Sequence, residues 1–218
     1  MKTKIGLNPN FIFNSLNSLQ SILLLQGEKT ANEYIASFAN LIRETLEINR
    51  RDFTTLKREI NYLKSYVQIE AIRLKQDLKF NINLSESINP RLIKIPCMFL
   101  QPIVENSIIH GLYHKKGEKM LDLSFSLEGD FLRVEVEDNG IGREESNSLN
   151  SKSNKRHNSL ATSIMKDRIR LSNLINKDRI SLDIIDLKNN GVATGTSVVI
   201  KLPIKLETSD QISISEMI

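Results

Sequence analysis

A single cysteine, Cys97, stands in 218 residues, so no intrachain disulfide can brace the fold, and the chain suits a reducing compartment. Its neighbours Pro96, Met98 and Phe99 make it a buried structural thiol rather than a reactive one. Long apolar runs are missing too. The longest, Ile22 to Leu25, falls far short of the ~18 residues a membrane span needs, and no secretion-signal pattern opens the chain. Nor is there a basic stripe interleaved with aromatics. Aromatic residues make up 6% and the formal net charge is only +4, which excludes a nucleic-acid footprint. The one local basic cluster, Lys152, Lys155 and Arg156, reads as solvated loop. What remains, 40% hydrophobic and 26% charged residues, describes an ordinary soluble globular protein with enough chain for one large domain or two small ones.

The first ~75 residues carry helical periodicity. Ile12, Leu16, Leu19 and Leu23 recur at three- to four-residue spacing, and Gly27 stands where a C-terminal glycine stops a helix. Thr30 is the expected cap of a second helix with the stripe Ile35, Phe38, Leu41 or Ile42, Thr45 and Ile48. Thr55 is the expected cap of a third, with Ile60, Leu63, Val67 and Leu74 along one side. The short turn over 26–29 predicts that the first two helices pack as an antiparallel hairpin. Two helices cannot cover both their faces, so pairing with a second copy into a four-helix bundle is expected.

Alternation then replaces the helical period. Leu78, Phe80, Ile82 and Leu84 predict a strand. Pro96 and Pro102 bracket the start of a helix expected to reach His110 and stop at Gly111. Two strands follow, over 121–127 and 132–136, joined by Glu128-Gly129-Asp130. Residues 146–159 are rich in Ser, Asn and Lys, and read as a mobile, lid-like loop. A helix over 161–176, strands over 180–185 and 196–202, and a loose tail complete the reading.

Three spaced motifs carry the chemistry. Leu100-Gln101-Pro102-Ile103-Val104-Glu105-Asn106-Ser107-Ile108-Ile109-His110-Gly111 sets Asn106 and His110 four apart, on one helical face. The Asn106 carbonyl is a hard oxygen suited to Mg²⁺, and Glu105 beside it could orient a water or the metal. Asp138-Asn139-Gly140-Ile141-Gly142 follows a strand directly, with glycines that let the backbone turn tightly. Gly195-Thr196 opens the last strand. Together these resemble the ATP-binding domain shared by histidine kinases, gyrase and MutL. The resemblance implies that Asp138 accepts a hydrogen bond from the adenine amino group, that Gly140 and Gly142 approach the nucleotide, and that Gly195 and Thr196 close the adenine pocket. The segment 159–169 occupies the slot of a second glycine box, with Ala161 where the family often has Gly. Lys166 and Arg168, on the first turns of that helix, are candidates to reach phosphates. Ile109 stands where many relatives carry Lys.

The N-terminal half extends the likeness. Leu7-Asn8-Pro9-Asn10-Phe11-Ile12-Phe13-Asn14 resembles the phosphoacceptor box of LytS-like sensor histidine kinases, in which a His occupies the place of Asn10. A carboxamide nitrogen shares its lone pair with the carbonyl and is no nucleophile. Leu41-Ile42-Arg43-Glu44-Thr45-Leu46, Thr55-Leu56-Lys57-Arg58-Glu59-Ile60 and Glu70-Ala71-Ile72-Arg73-Leu74 match the spacing of the same family. The resemblance covers roughly residues 7–204. It implies an α+β chain: a dimerising helical hairpin over 1–52, a GHKL α/β sandwich that binds ATP over 53–206, and a flexible tail over 207–218. It further implies ATP and Mg²⁺ as cofactors, a homodimer, and a response-regulator partner of the LytTR type. The setting implied is the cytoplasmic part of an inner-membrane sensor whose N-terminal sensor region precedes this chain. Three activities fit: a transmitter that has lost its acceptor, a nucleotide-binding pseudokinase that signals by conformation, and an ATPase with Glu105 as general base.

Overall fold

The computed structural model describes residues 16, 18–19, 22–24, 27–48, 51–74, 78–152, 158–176 and 179–206. Asn10, its surrounding box and the tail beyond 206 lie outside them.

Leu16, Ser18, Leu19 and residues 22–24 are helical, and Gly27 breaks the helix at a φ of +85°, a conformation that glycine adopts without steric cost. Helix α1 (Glu28–Ile48) begins at once, the Ala31 N–H reaching the Gly27 carbonyl at 3.2 Å. Thr30 therefore sits inside the helix and does not cap it. The buried stripe is Ala31, Tyr34, Leu41, Thr45 and Ile48, with Phe38 half-buried against the same core. Ile35, expected on that stripe, is 46% exposed; Tyr34 takes the position one step back. The 3-4-3-4-3 spacing from Ala31 to Ile48, with Phe38 included, is that of a helix packed on one neighbour, and α1 lies against helix α2 (Leu56–Leu74).

Thr55 does cap α2: its Oγ1 accepts the Arg58 N–H at 3.3 Å. The helix is buried broadly, through Leu56, Glu59, Ile60, Tyr62, Leu63, Tyr66, Val67, Ile69 and Glu70. Before it, strand β1 (Phe53–Thr55) pairs antiparallel with β3 (Ile93–Pro96), and β3 pairs with β8 (Lys205–Leu206). Sequence alternation had not exposed β3, which is only four residues long and ends on Pro96.

The main sheet has five strands: β2 (Leu78–Leu84), β4 (Lys119–Glu128), β5 (Phe131–Asp138), β6 (Ser181–Asn189) and β7 (Val192–Pro203), in the order β2-β4-β5-β7-β6. Only β2 and β4 run parallel. One face carries Leu121, Leu123 and Phe125 on β4 opposite Val136 and Val134 on β5, and joins a single core with α2. The other face carries Arg133, Glu135 and Lys201, so the sheet is wet on one side and helix-covered on the other.

Helix α3 (Gln101–Asn106) starts with Pro102 in its first turn and widens without interruption into a π turn over Ser107–Leu112. The Tyr113 N–H reaches back five residues to the Ile108 carbonyl, at 2.8 Å. Gly111 thus does not end the helix, as its position in the sequence suggested. The polar stretch after Gly142 also differs from expectation: Arg143–Lys152 form helix α4, and α5 spans Asn158–Asn176. Residues 153–157, the centre of the expected lid, lie outside the described residues. The α+β class and the α/β sandwich stand as the motifs implied.

Candidate functional site

Asp138 is the last residue of β5, opposite Leu121 on β4 and Thr196 on β7. It is 3% exposed. Burial pushes its carboxyl up to about 6, although the Gly140 N–H, the Ser107 hydroxyl and the Thr196 N–H all donate to the carboxylate and hold it down. The Gly140 bond measures 2.9 Å.

Three glycines make room for this group. A β-carbon on Gly111 would stand 2.7 Å from Asp138 Oδ1, and one on Gly140 would stand 2.5 Å from the Gly111 backbone. Gly195, at a φ of +153°, passes so close that its β-carbon would lie 1.9 Å from the Asp138 carbonyl oxygen. The π turn brings Gly111 into this packing, and the Ile141 N–H bonds to its carbonyl at 3.2 Å. Widened helical turns of this sort often mark functional sites. Asn139 fixes the turn from outside, its Oδ1 accepting the Met120 N–H at 2.9 Å.

Above Asp138 opens a cavity of about 560 Å³, the size of a nucleotide-scale pocket. Pro102, Ile103, Asn106, Ser107, His110 and Gly111 form the α3 wall, and Met165, Lys166 and Asp167 the α5 wall. Leu182 and Ile184 of β6, Thr196 and Val198 of β7, and Gly142, Arg143, Ser146 and Asn147 complete it. The structure therefore gathers Asn106, His110, Asp138, Gly142, Lys166 and Thr196 around one space, with Gly140 and Gly195 packed behind Asp138. His110 is held below the ordinary histidine range by burial and by His114. Ala161 lies in helical backbone within α5, where φ is negative.

Two expected site residues stand elsewhere. Arg168 turns away from the cavity and bonds to the carbonyls of Cys97 and Met98, because its position on α5 faces the β3–α3 loop. Glu105 is absent from the cavity lining, and its charge instead acts on Tyr62 and Tyr66 of α2.

Sequence reading missed Ser107, the hydroxyl partner of Asp138, although it stands beside Asn106 in the same motif. It also missed Arg143, the residue after Gly142. Arg143 lines the cavity and grips Asp186 of β6 through two bonds of 2.6 Å each. Lys188 and Glu144 add a 3.1 Å pair beside it, so α4 is fastened to the edge strand. No sequence signal joins Arg143 to a carboxylate 43 residues away.

Residues 2–78 match the family model for histidine kinases. Over 136 residues the chain is 32% identical to the sensor histidine kinase YpdA of Escherichia coli K12, and over 135 residues 28% identical to the sensor protein LytS of Staphylococcus epidermidis. The chain is similar to the LytS-like sensor histidine kinases. The alignments take in 62% of this chain but only 23% of YpdA and 22% of LytS, so it spans under a quarter of their length in the matched part. The histidine kinase domain of the blue-light activated kinase from Erythrobacter litoralis shares the fold, at a TM-score of 0.50 and 14% identity over 88% of this chain and 96% of that one. Among the described residues, no helix of the chain is long and apolar enough to cross a membrane.

Proposed function

We propose that this chain is the transmitter region of a two-component sensor kinase, that its cavity binds ATP with Mg²⁺, and that Asn10 leaves it without a phosphoacceptor. The observation that carries the nucleotide reading is the buried Asp138 carboxylate in its glycine cradle at the floor of the cavity. It offers an acceptor for an exocyclic amino group there. Asn106 would supply one hard oxygen to the metal, and Lys166 a cation to the phosphates. Among the described residues no group of three or more His, Cys, Asp or Glu side chains is placed to hold a metal. That suits Mg²⁺, which keeps few protein ligands and arrives with the triphosphate.

The remaining parts follow from the family. The helical unit over 1–52 would pair with a second copy, the unit over 53–206 would hold the nucleotide, and a response regulator of the LytTR type would be the downstream partner. The boundary near 52 is supported by β1, which starts at Phe53 and already pairs with β3. A second reading, a nucleotide-binding pseudokinase that signals by conformation, is favoured by Asn10 itself, whose carboxamide accepts no phosphoryl group. The ATPase reading draws less support, since Glu105 is not among the residues lining the cavity.

The test uses γ-labelled ATP. The chain as it stands should form no acid-labile phosphate, and Asn10→His should form it. Labelling of the unmodified chain at any histidine overturns the acceptor assignment. If calorimetry detects no ATP binding with Mg²⁺, or if Asp138→Asn binds as the parent does, the nucleotide reading falls.

A further inference from the structure

Between β3 and α3 the chain passes through Cys97, Met98, Phe99 and Leu100, all buried. Met98 adopts a φ of +52°. A side-chain-bearing residue persists in that region only when its surroundings hold it there. Two ionisable residues do so from opposite helices. Glu59 on α2 is fully buried, its Oε2 accepting the Met98 N–H at 3.0 Å and its Oε1 the Leu100 N–H at 3.1 Å. Arg168 on α5 donates from Nη1 to the Met98 carbonyl and from Nη2 to the Cys97 carbonyl, both at 3.1 Å. Its guanidinium also lies 5.6 Å from the centre of the Phe99 ring. The Met98 residue is therefore gripped at its N–H by one helix and at its C=O by the other.

The placement of this grip matters for the cavity. The loop leads directly into Pro102, Ile103 and Asn106, which form the α3 wall, while Arg168 directly follows Met165, Lys166 and Asp167, which form the α5 wall. We propose that Glu59 and Arg168 are positioning residues for the nucleotide site: a clamp on the 97–100 loop that sets the α3 wall against the α5 wall. The proposal rests on the nucleotide reading above. Neither residue lines the cavity, so the clamp acts through the loop and the helix, and a shift of about 1 Å at such a support costs binding heavily.

The discriminating variant is Arg168→Lys, which keeps the charge and most of the stem but cannot bridge two carbonyls in a planar fork. Mg-ADP affinity is measured by calorimetry at a temperature where circular dichroism shows every variant folded. Arg168→Lys and Glu59→Gln should each weaken Mg-ADP binding about tenfold. Ile169→Val, which trims a buried core side chain of the same helix but removes none of the clamp's hydrogen bonds, should stay within about twofold of the parent. Parent-like affinity in Arg168→Lys overturns the clamp, as does an equal loss in Ile169→Val. A parent that binds no Mg-ADP overturns the nucleotide reading instead. The clamp keeps its own readout in that case. Without nucleotide, amide exchange over 101–112 should quicken in Arg168→Lys and Glu59→Gln but not in Ile169→Val, and unchanged exchange overturns it.

Discussion

Gly111 and Asp138 are packed so closely that a methyl group on the glycine would stand 2.7 Å from the carboxylate oxygen. Gly111→Ala must therefore displace Asp138 or force apart the π turn and the end of β5. Its expected cost is about 1–3 kcal/mol of stability, as for other overpacked positions, together with loss of most nucleotide affinity. Urea denaturation and an ADP titration check the two effects. A variant with parental stability and parental binding would show that the site relaxes freely.

On the proposed nucleotide reading, Asp138 makes binding and stability respond oppositely to pH. Its carboxyl rises from an ordinary 3.8 to about 6 on folding, so the folded chain holds a proton that the unfolded chain has released. The stabilisation from that proton is complete below 3.8 and is lost as pH rises through about 6. Acceptance of an adenine amino group instead needs the carboxylate. ADP affinity should fall as pH drops from 7 to 5, and Asp138→Asn should flatten that dependence. An unchanged profile in the variant would assign the titration to another group.

Arg143 and Asp186 hold α4 against β6 at an exposed place, with 47% of the arginine side chain open to water. Asp186→Asn should cost under about 1 kcal/mol of stability, with the difference shrinking in high salt. Arg143→Ala removes a cavity-lining cation as well, so it should alter ADP affinity more than Asp186→Asn does. Equal effects on affinity would mean that the arginine acts only as a fastener.

Thr55 offers a purely local test. Its hydroxyl oxygen accepts the Arg58 N–H at the start of α2, so Thr55→Ala should lower stability by about 1 kcal/mol and Thr55→Ser should recover most of it. Chemical denaturation of the three proteins measures this.

Much of the fold could be read from the chain because local pattern and tertiary role agree there. The alternation over 121–127 and 132–136 gave β4 and β5 with their turn, and Thr55 capped the helix it was expected to cap. The site was legible where its members share a motif, as Asn106 with His110 and Asp138 with Gly140 do. Elsewhere the deciding partner is distant in sequence. Arg168 resembles a phosphate ligand until the β3–α3 loop offers it two carbonyls. Gly111 resembles a helix stop until Gly140 is packed against it. The helix over Arg143–Lys152 has almost no apolar stripe, so nothing in its periodicity separates it from a polar loop. In α1 the phase turned on Tyr34 against Ile35, neighbours of similar bulk, and the face against α2 selected the tyrosine.

The glycine cradle also bears on how such a chain ages. Gly111, Gly140 and Gly195 are demanded by backbone packing against one another and against Asp138, a demand that holds whether or not a nucleotide ever enters. A chain without its acceptor, as proposed for Asn10, would still have to keep them in order to fold. These glycines thus record ancestry more faithfully than present activity. On the proposed loss of the acceptor, drift should register first at Asn106 and Lys166, which line the cavity and are not part of the glycine cradle.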